Sequence, residues 1–171
     1  MKTSHDGLDL IKSFEGFSAK AYDDGVGVIT IGYGTTKYPN GAKVKMGDVC
    51  TEEQAEQWLA HDVASAEKTI NNLVFGKPLT QDQFDALVSF QYNTGAITKS
   101  TLYDKAKIDP DDETIYKYDS KNPVDTSEFT RWVKGTVLGQ KIVLNGLVTR
   151  RKAEADLYSG KKGGTRPPHP H

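Results

Sequence analysis

Between Phe14 and Gly34 the chain reads FEGFSAKAYDDGVGVITIGYG, with three acids and five glycines in a short space. Just before it, Leu8, Ile11 and Phe14 recur at helical spacing and the pattern stops at Gly16, a good helix terminator. This predicts a first helix over residues 4–15. Within the stretch the texture changes to β-branched and aromatic residues broken by glycine, as in VGVITIGYG, and it continues through KYPNGAKVKMGD. Asn40-Gly41 is a tight-turn signal. Residues 22–49 therefore read as a small, twisted, antiparallel sheet.

Further out, Thr51 and Gln54 fit a capping box, and no Pro or Gly interrupts the chain from there to residue 73. Ala55, Trp58, Leu59, Val63, Ala66 and Ile70 follow a 3.6-residue period, which makes this the longest expected helix. LTQDQFDALVSFQYNTG repeats the device with Thr80 and Gln83, and places Phe84, Leu87, Val88 and Tyr92 on one face of a core helix. Residues 107–126, KIDPDDETIYKYDSKNPVDT, are acidic, polar and hold two prolines, as expected of a surface excursion. Helical character resumes at SEFTRWVKG and again at NGLVTRRKAEADLY. A glycine- and proline-rich tail from residue 160, with His169 and His171, is expected to be frayed rather than metal-binding.

The 171 residues suit one domain able to bury a real core. With 36% hydrophobic and 26% charged residues, neither a disordered chain nor a membrane protein is indicated. MKTSHDGLDLIKSFEG lacks the apolar run of a secretory signal, and no segment approaches the roughly 18 apolar residues of a spanning helix. The expectation is a protein with no export route or membrane anchor of its own. A single cysteine, Cys50, excludes an internal disulfide and a multi-cysteine metal site, and reads as a small, partly buried apolar side chain. The net charge of −1 is unevenly spread. Residues 1–50 carry six basic and six acidic side chains, residues 51–128 seven and fifteen, and residues 129–171 nine and two. A basic C-terminal segment suits a solvated face or contact with an anionic polymer, and the latter predicts salt-sensitive binding. No phosphate loop, dinucleotide-binding fingerprint, HExxH motif or internal repeat is present.

Three residues of the opening stretch are suited to acid and base work. Glycosidic cleavage needs one carboxyl group to protonate the leaving oxygen and a second, ionised, to support charge or activate water. Glu15 falls at a helix end, where exposed carbonyls disfavour an ionised carboxylate. Asp24 falls in a glycine-rich turn within reach of backbone amides and solvent, which favour the charged form. Thr30 falls on a strand, and its hydroxyl both donates and accepts, as holding a water requires. Spacing alone is equally served by a surface acid, a turn former and an ordinary strand threonine.

The stretch resembles the N-terminal signature of glycoside hydrolase family 24, the phage lysozymes or endolysins: E-G, then Y-x-D, then G-x-x-T-I-G-x-G. QFDALVSFQYNTGA is similar to a second family block, and FTRWV and GLVTRRKAEADLY to later ones, so matches in order cover most of the chain. The resemblance implies an α+β, mainly helical lysozyme-like fold of two lobes within a single catalytic domain over residues 1–171. The lobes would span about 14–55, with the small antiparallel sheet, and 70–160, mostly helical, joined by the long helix. It implies Glu15 as general acid, Asp24 rather than Asp23 as second catalytic group, and Thr30 as third member of the triad.

Gln91 and Asn93 are then expected to touch sugar, and Arg150 or Arg151 to pair with Glu15. The sequence does not choose between the arginines, because each also has Glu154 at helical spacing. The implied activity is a muramidase acting on the β-1,4 bond between N-acetylmuramic acid and N-acetylglucosamine of peptidoglycan, without metal or organic cofactor and without nucleic-acid or stable membrane partners. A monomer held in the host cytoplasm until a separate holin-type protein opens the way to the wall is the implied setting. Two departures from the family pattern stand out: Thr35-Thr36 where some members carry histidine, and the long 107–126 excursion.

Overall fold

The computed structural model describes residues 1–25, 27–116, 128–137, 140–143 and 145–160. Helix α1, His5–Glu15, starts where the Ser4 side chain accepts the Gly7 N–H, and it stops because Gly16 takes φ +70° while its N–H closes on the Lys12 carbonyl at 3.0 Å. The stop leaves Glu15 as the last helical residue. Strands β1, Ser18–Asp23, and β2, Ile29–Gly32, then form an antiparallel hairpin in which Tyr22 faces Thr30 and Asp23 faces Ile29. The rest of the expected sheet is reduced to single bridges, Lys20 to Val49, Ile31 to Thr35 and Lys37 to Lys43. The Asn40-Gly41 turn is present, with the Tyr38 carbonyl accepting the Gly41 N–H at 2.9 Å.

Helix α2, Glu52–Asn71, opens on the reciprocal Thr51–Gln54 capping box and buries Ala55, Leu59, Val63, Ala66 and Ile70. Trp58 turns instead to a small apolar cluster of Ala21, Ile31 and Val44, which Tyr38 and Cys50 flank. Helix α3, Gln81–Thr94, opens on the matching Thr80–Gln83 box and is buried all round from Gln83 to Phe90. It forms the axis of the larger cluster, packed by α1, α2 and α5, Asn145–Tyr158. The sheet thus precedes a long helix that packs on the large cluster from Ala55 to Ile70 and sends Trp58 to the small one, and mainly helical structure follows, as expected.

Two expectations are corrected. The described residues of SEFTRWVKG, 128–135, hold a single 3-10 turn, Phe129–Arg131, and the chain then enters a second antiparallel strand pair. Its strands are β3, Lys134–Val137, and β4, Gln140–Val143, with Lys134 opposite Val143. The β-branched Thr136, Val137, Ile142 and Val143 are the local cause. The start of the acidic excursion is not a loose surface loop either. Helix α4, Thr101–Ile108, capped by Ser100, runs into it. Beyond α4, Ile115 is fully buried, Tyr158 Oη donates to the Pro110 carbonyl, and Gln83 Nε2 donates to Asp111 at 2.7 Å. The remainder of the excursion, residues 117–126, and the tail with His169 and His171 lie outside the described residues.

Candidate active site

Glu15 ends α1 at the edge of a recess of about 410 Å3 lined by Gly34, Thr36, Lys37, Asp62, Tyr92 and Asn93. Glu15 and Asn93 also border a second recess of about 420 Å3 with Phe14, Leu147 and Arg150, so the carboxyl group sits where two hollows meet. Its two oxygens have different surroundings. Oε1 accepts from Arg150 Nη1 at 2.9 Å, and Oε2 faces Gly34. This answers which arginine faces Glu15: it is Arg150, stacked over the Phe14 ring at 5.5 Å.

Arg150 is itself fixed from behind. Its Nε donates to Glu154 at 3.4 Å and its Nη2 reaches the Ser89 carbonyl and hydroxyl, both at 3.4 Å. Glu154, fully buried, also accepts from Ser89 Oγ and from Arg151 Nη2 at 3.2 Å. Arg151 Nε lies 2.7 Å from Glu154 Oε1 but off the line a hydrogen bond needs, so charge alone joins those two atoms. Burial, with the like charge of Arg150 adding to it, brings Arg151 down to about 10 against the pull of Glu154. Arg151 does not reach Glu15; its Nη2 donates at 2.8 Å to Asn93 Oδ1, leaving the Asn93 amide NH2 for the recess.

Opposite Glu15 stand two groups that sequence reading did not single out as functional. Asp62, on α2, accepts from Thr35 Oγ1 at 3.2 Å, and burial pushes its carboxyl above the usual range against that bond and the nearby His61. Tyr92 is pushed upward by burial and by the charges of Glu15 and Asp62, with Arg150 opposing, so its hydroxyl stays a donor. Neither has a local sequence signal: Asp62 flanks the apolar stripe of α2, and Tyr92 falls on the core face of α3.

Asp24 and Thr30 share the β1–β2 hairpin but do not line either recess. Asp24 Oδ1 accepts the Val28 N–H at 3.2 Å, and the Asp24 N–H donates to the Val28 carbonyl at 3.0 Å. Asp23 instead takes the turn-forming bonds from Gly25 and Gly27. Thr30 is buried, with its hydroxyl 3.4 Å from the Val28 carbonyl. Gln91 Oε1 accepts the Ile97 N–H at 3.0 Å, and Gln91 lies outside both recesses. Among the described residues no group of three or more His, Cys, Asp or Glu side chains could hold a metal ion.

Gly34 keeps the approach to Glu15 open. It has φ +90°, and a Cβ there would lie 3.0 Å from Glu15 Oε2 and 4.0 Å from Tyr92 Oη. Gly34→Ala should therefore lower turnover by about tenfold, since the Glu15 carboxyl must give by a fraction of an ångström and a full ångström of misplacement costs about 10². The backbone strain should cost about 1–2 kcal/mol in thermal denaturation. An alanine variant with unchanged turnover would remove Gly34 from the site.

A family model described as phage lysozyme matches residues 12–154, a span holding Glu15, the hairpin and both arginines. The chain is 39% identical to an endolysin of Acyrthosiphon pisum secondary endosymbiont phage 1, over 92% of this chain and 98% of the relative. To an endolysin of Bacillus phage PZA it is 37% identical over 93% of its own length, while spanning only 55% of that relative. An endolysin structure from Escherichia coli O157:H7 phage FAHEc1 matches with a TM-score of 0.80 and 38% identity, covering 98% of each chain. On the extent of these matches, the chain belongs to the phage lysozyme family.

Proposed function

We propose that the chain is a muramidase of glycoside hydrolase family 24, an endolysin that hydrolyses the β-1,4 bond between N-acetylmuramic acid and N-acetylglucosamine of peptidoglycan and so lyses the host cell. The observation that carries this reading is the placement of Glu15: one oxygen fixed by Arg150 at 2.9 Å, the other turned to the recess above Gly34. In this reading Oε2 gives its proton to the leaving glycosidic oxygen. Arg150 then steadies the carboxylate that remains. Asp24 supports the developing oxocarbenium ion, and with Thr30 it places the attacking water. A hydroxyl that holds water has no place in direct attack, so the anomeric centre inverts. Asn93 contacts sugar through its amide NH2, and the protein acts as a single catalytic unit and a monomer.

Asp62 offers a second reading of the partner carboxylate, because it shares the recess with Glu15. Turbidity loss of permeabilised Gram-negative cells separates the two. Asp24→Asn should lower lysis by about 10² or more, with Asp62→Asn within about tenfold of the parent. The reverse order would transfer the role to Asp62.

No helix among the described residues is long and apolar enough to cross a membrane. Retention in the host cytoplasm, and release by a separate holin-type protein, belong to the same proposal.

A further inference from the structure

We propose that the groove lined by Tyr38 and Trp58, beside the β1–β2 sheet, is a second saccharide-binding site that takes an N-acetylated hexosamine unit of a glycan strand. The hollow measures about 490 Å3, within the range of small-ligand sites, and is separate from both recesses at Glu15. Its wall is aromatic: the Tyr38 and Trp58 rings lie 4.9 Å apart at 58°, and neither is fully buried. Val49, 69% exposed, adds an apolar edge. Flat aromatic faces with a few polar groups around them suit the C–H face and hydroxyl rim of a pyranose.

The polar groups are pre-set by the backbone. Asn40 Oδ1 accepts the Ala42 N–H at 2.9 Å, and Gln54 Oε1 accepts the Thr51 N–H at 3.0 Å. Both carboxamides thus have their oxygen committed to a turn and a helix cap, and both offer an NH2 to the groove. Asp48 Oδ2 takes the Tyr38 hydroxyl at 2.7 Å and the Lys45 N–H at 3.0 Å, which fixes the carboxylate and leaves Oδ1 as an acceptor. Two oriented donors, one charged acceptor and an aromatic wall match an acetamido sugar, whose acetyl carbonyl and hydroxyls need both kinds of partner.

The location favours a polymer. Thr36 and Lys37 line the recess at Glu15, and Tyr38 and Asn40, next in the chain, line the groove. Trp58 and Asp62 stand one helical turn apart on α2, about 6 Å along its axis. The ligand's identity as a wall-type glycan rests on the muramidase reading; the groove's geometry does not.

The test uses the full chain carrying Glu15→Gln, titrated with the N-acetylglucosamine trisaccharide and followed by NMR. The chain has two tryptophans, so two indole N–H resonances are expected. The Trp58 resonance should shift with its own saturation. Asn40→Asp combined with Gln54→Glu keeps both structural acceptors and removes both donors; it should weaken that shift's affinity by about tenfold. The amide shifts around Asn93 should keep their midpoint, and the melting temperature should stay within about 2 °C. A Trp58 indole that does not move, or an affinity unchanged in the double variant, overturns the site. A shift produced by a free stem peptide and not by the sugar overturns the ligand class. Wall hydrolysis surviving in Glu15→Gln would instead count against the muramidase reading and leave the groove's binding result standing.

Discussion

Glu15→Gln should abolish all but a trace of wall hydrolysis, a loss of roughly 10²–10⁴, with the fold intact. The amide keeps an oxygen that can accept from Arg150, so the end of α1 stays in place and only the transferable proton is lost. Arg150 also retains Glu154 and Ser89, so the substitution strands no buried charge. The expected signature is therefore a collapse of turnover with a melting temperature that hardly moves. Activity within about threefold of the parent would place the general acid elsewhere.

Glu154→Leu should give the largest loss of stability, about 3–5 kcal/mol. Arg150 and Arg151 are buried behind Glu15, and Glu154 is the carboxylate that both guanidinium groups touch. Removing it leaves two like charges side by side, with Arg151 Nε and Nη1 already lacking hydrogen-bond partners. For a chain of this length the loss corresponds to a fall of roughly 10 °C or more in melting temperature. Turnover should fall as well, because Arg150 loses the support that aims it at Glu15. Pairing the change with Arg151→Met should recover much of the stability, since neutral apolar replacement of a buried ion pair is often tolerated. A single variant destabilised by less than about 1 kcal/mol would show that the cluster is not a tightly coupled unit.

The parts of this architecture that depend on local chemistry were legible in the sequence. Both capping boxes, the stop at Gly16 and the Asn40-Gly41 turn act within four residues and appear where expected. Periodicity identified the buried face of α2 apart from Trp58, which the small cluster claims. The β3–β4 hairpin was missed because its strands are only four residues each, and an adjoining tryptophan and charged residues mimic a helical pattern. Ile115 was hidden in an acidic run, because its burial depends on Tyr158 and Gln83 gripping the chain at Pro110.

The candidate site was legible only in part, for the same reason. Arg150 and Arg151 are equivalent along the helix, each with Glu154 in reach, and only the packing of α5 against α3 turns one to Glu15 and the other to Asn93. Asp62 and Tyr92 carry no signal until α2 and α3 bring them to one recess. Gln91, one residue from Tyr92, is turned by the helix to serve the Ile97 backbone instead.

The proposed reaction is hydrolysis, with water as the nucleophile, at the N-acetylmuramic acid side of the glycan. Mass spectrometry of the fragments released from purified peptidoglycan in heavy-oxygen water tests it most directly. Each new end should be a reducing N-acetylmuramic acid carrying one heavy oxygen. Ends in the 1,6-anhydro form, without solvent oxygen, would contradict hydrolysis and identify a lytic transglycosylase.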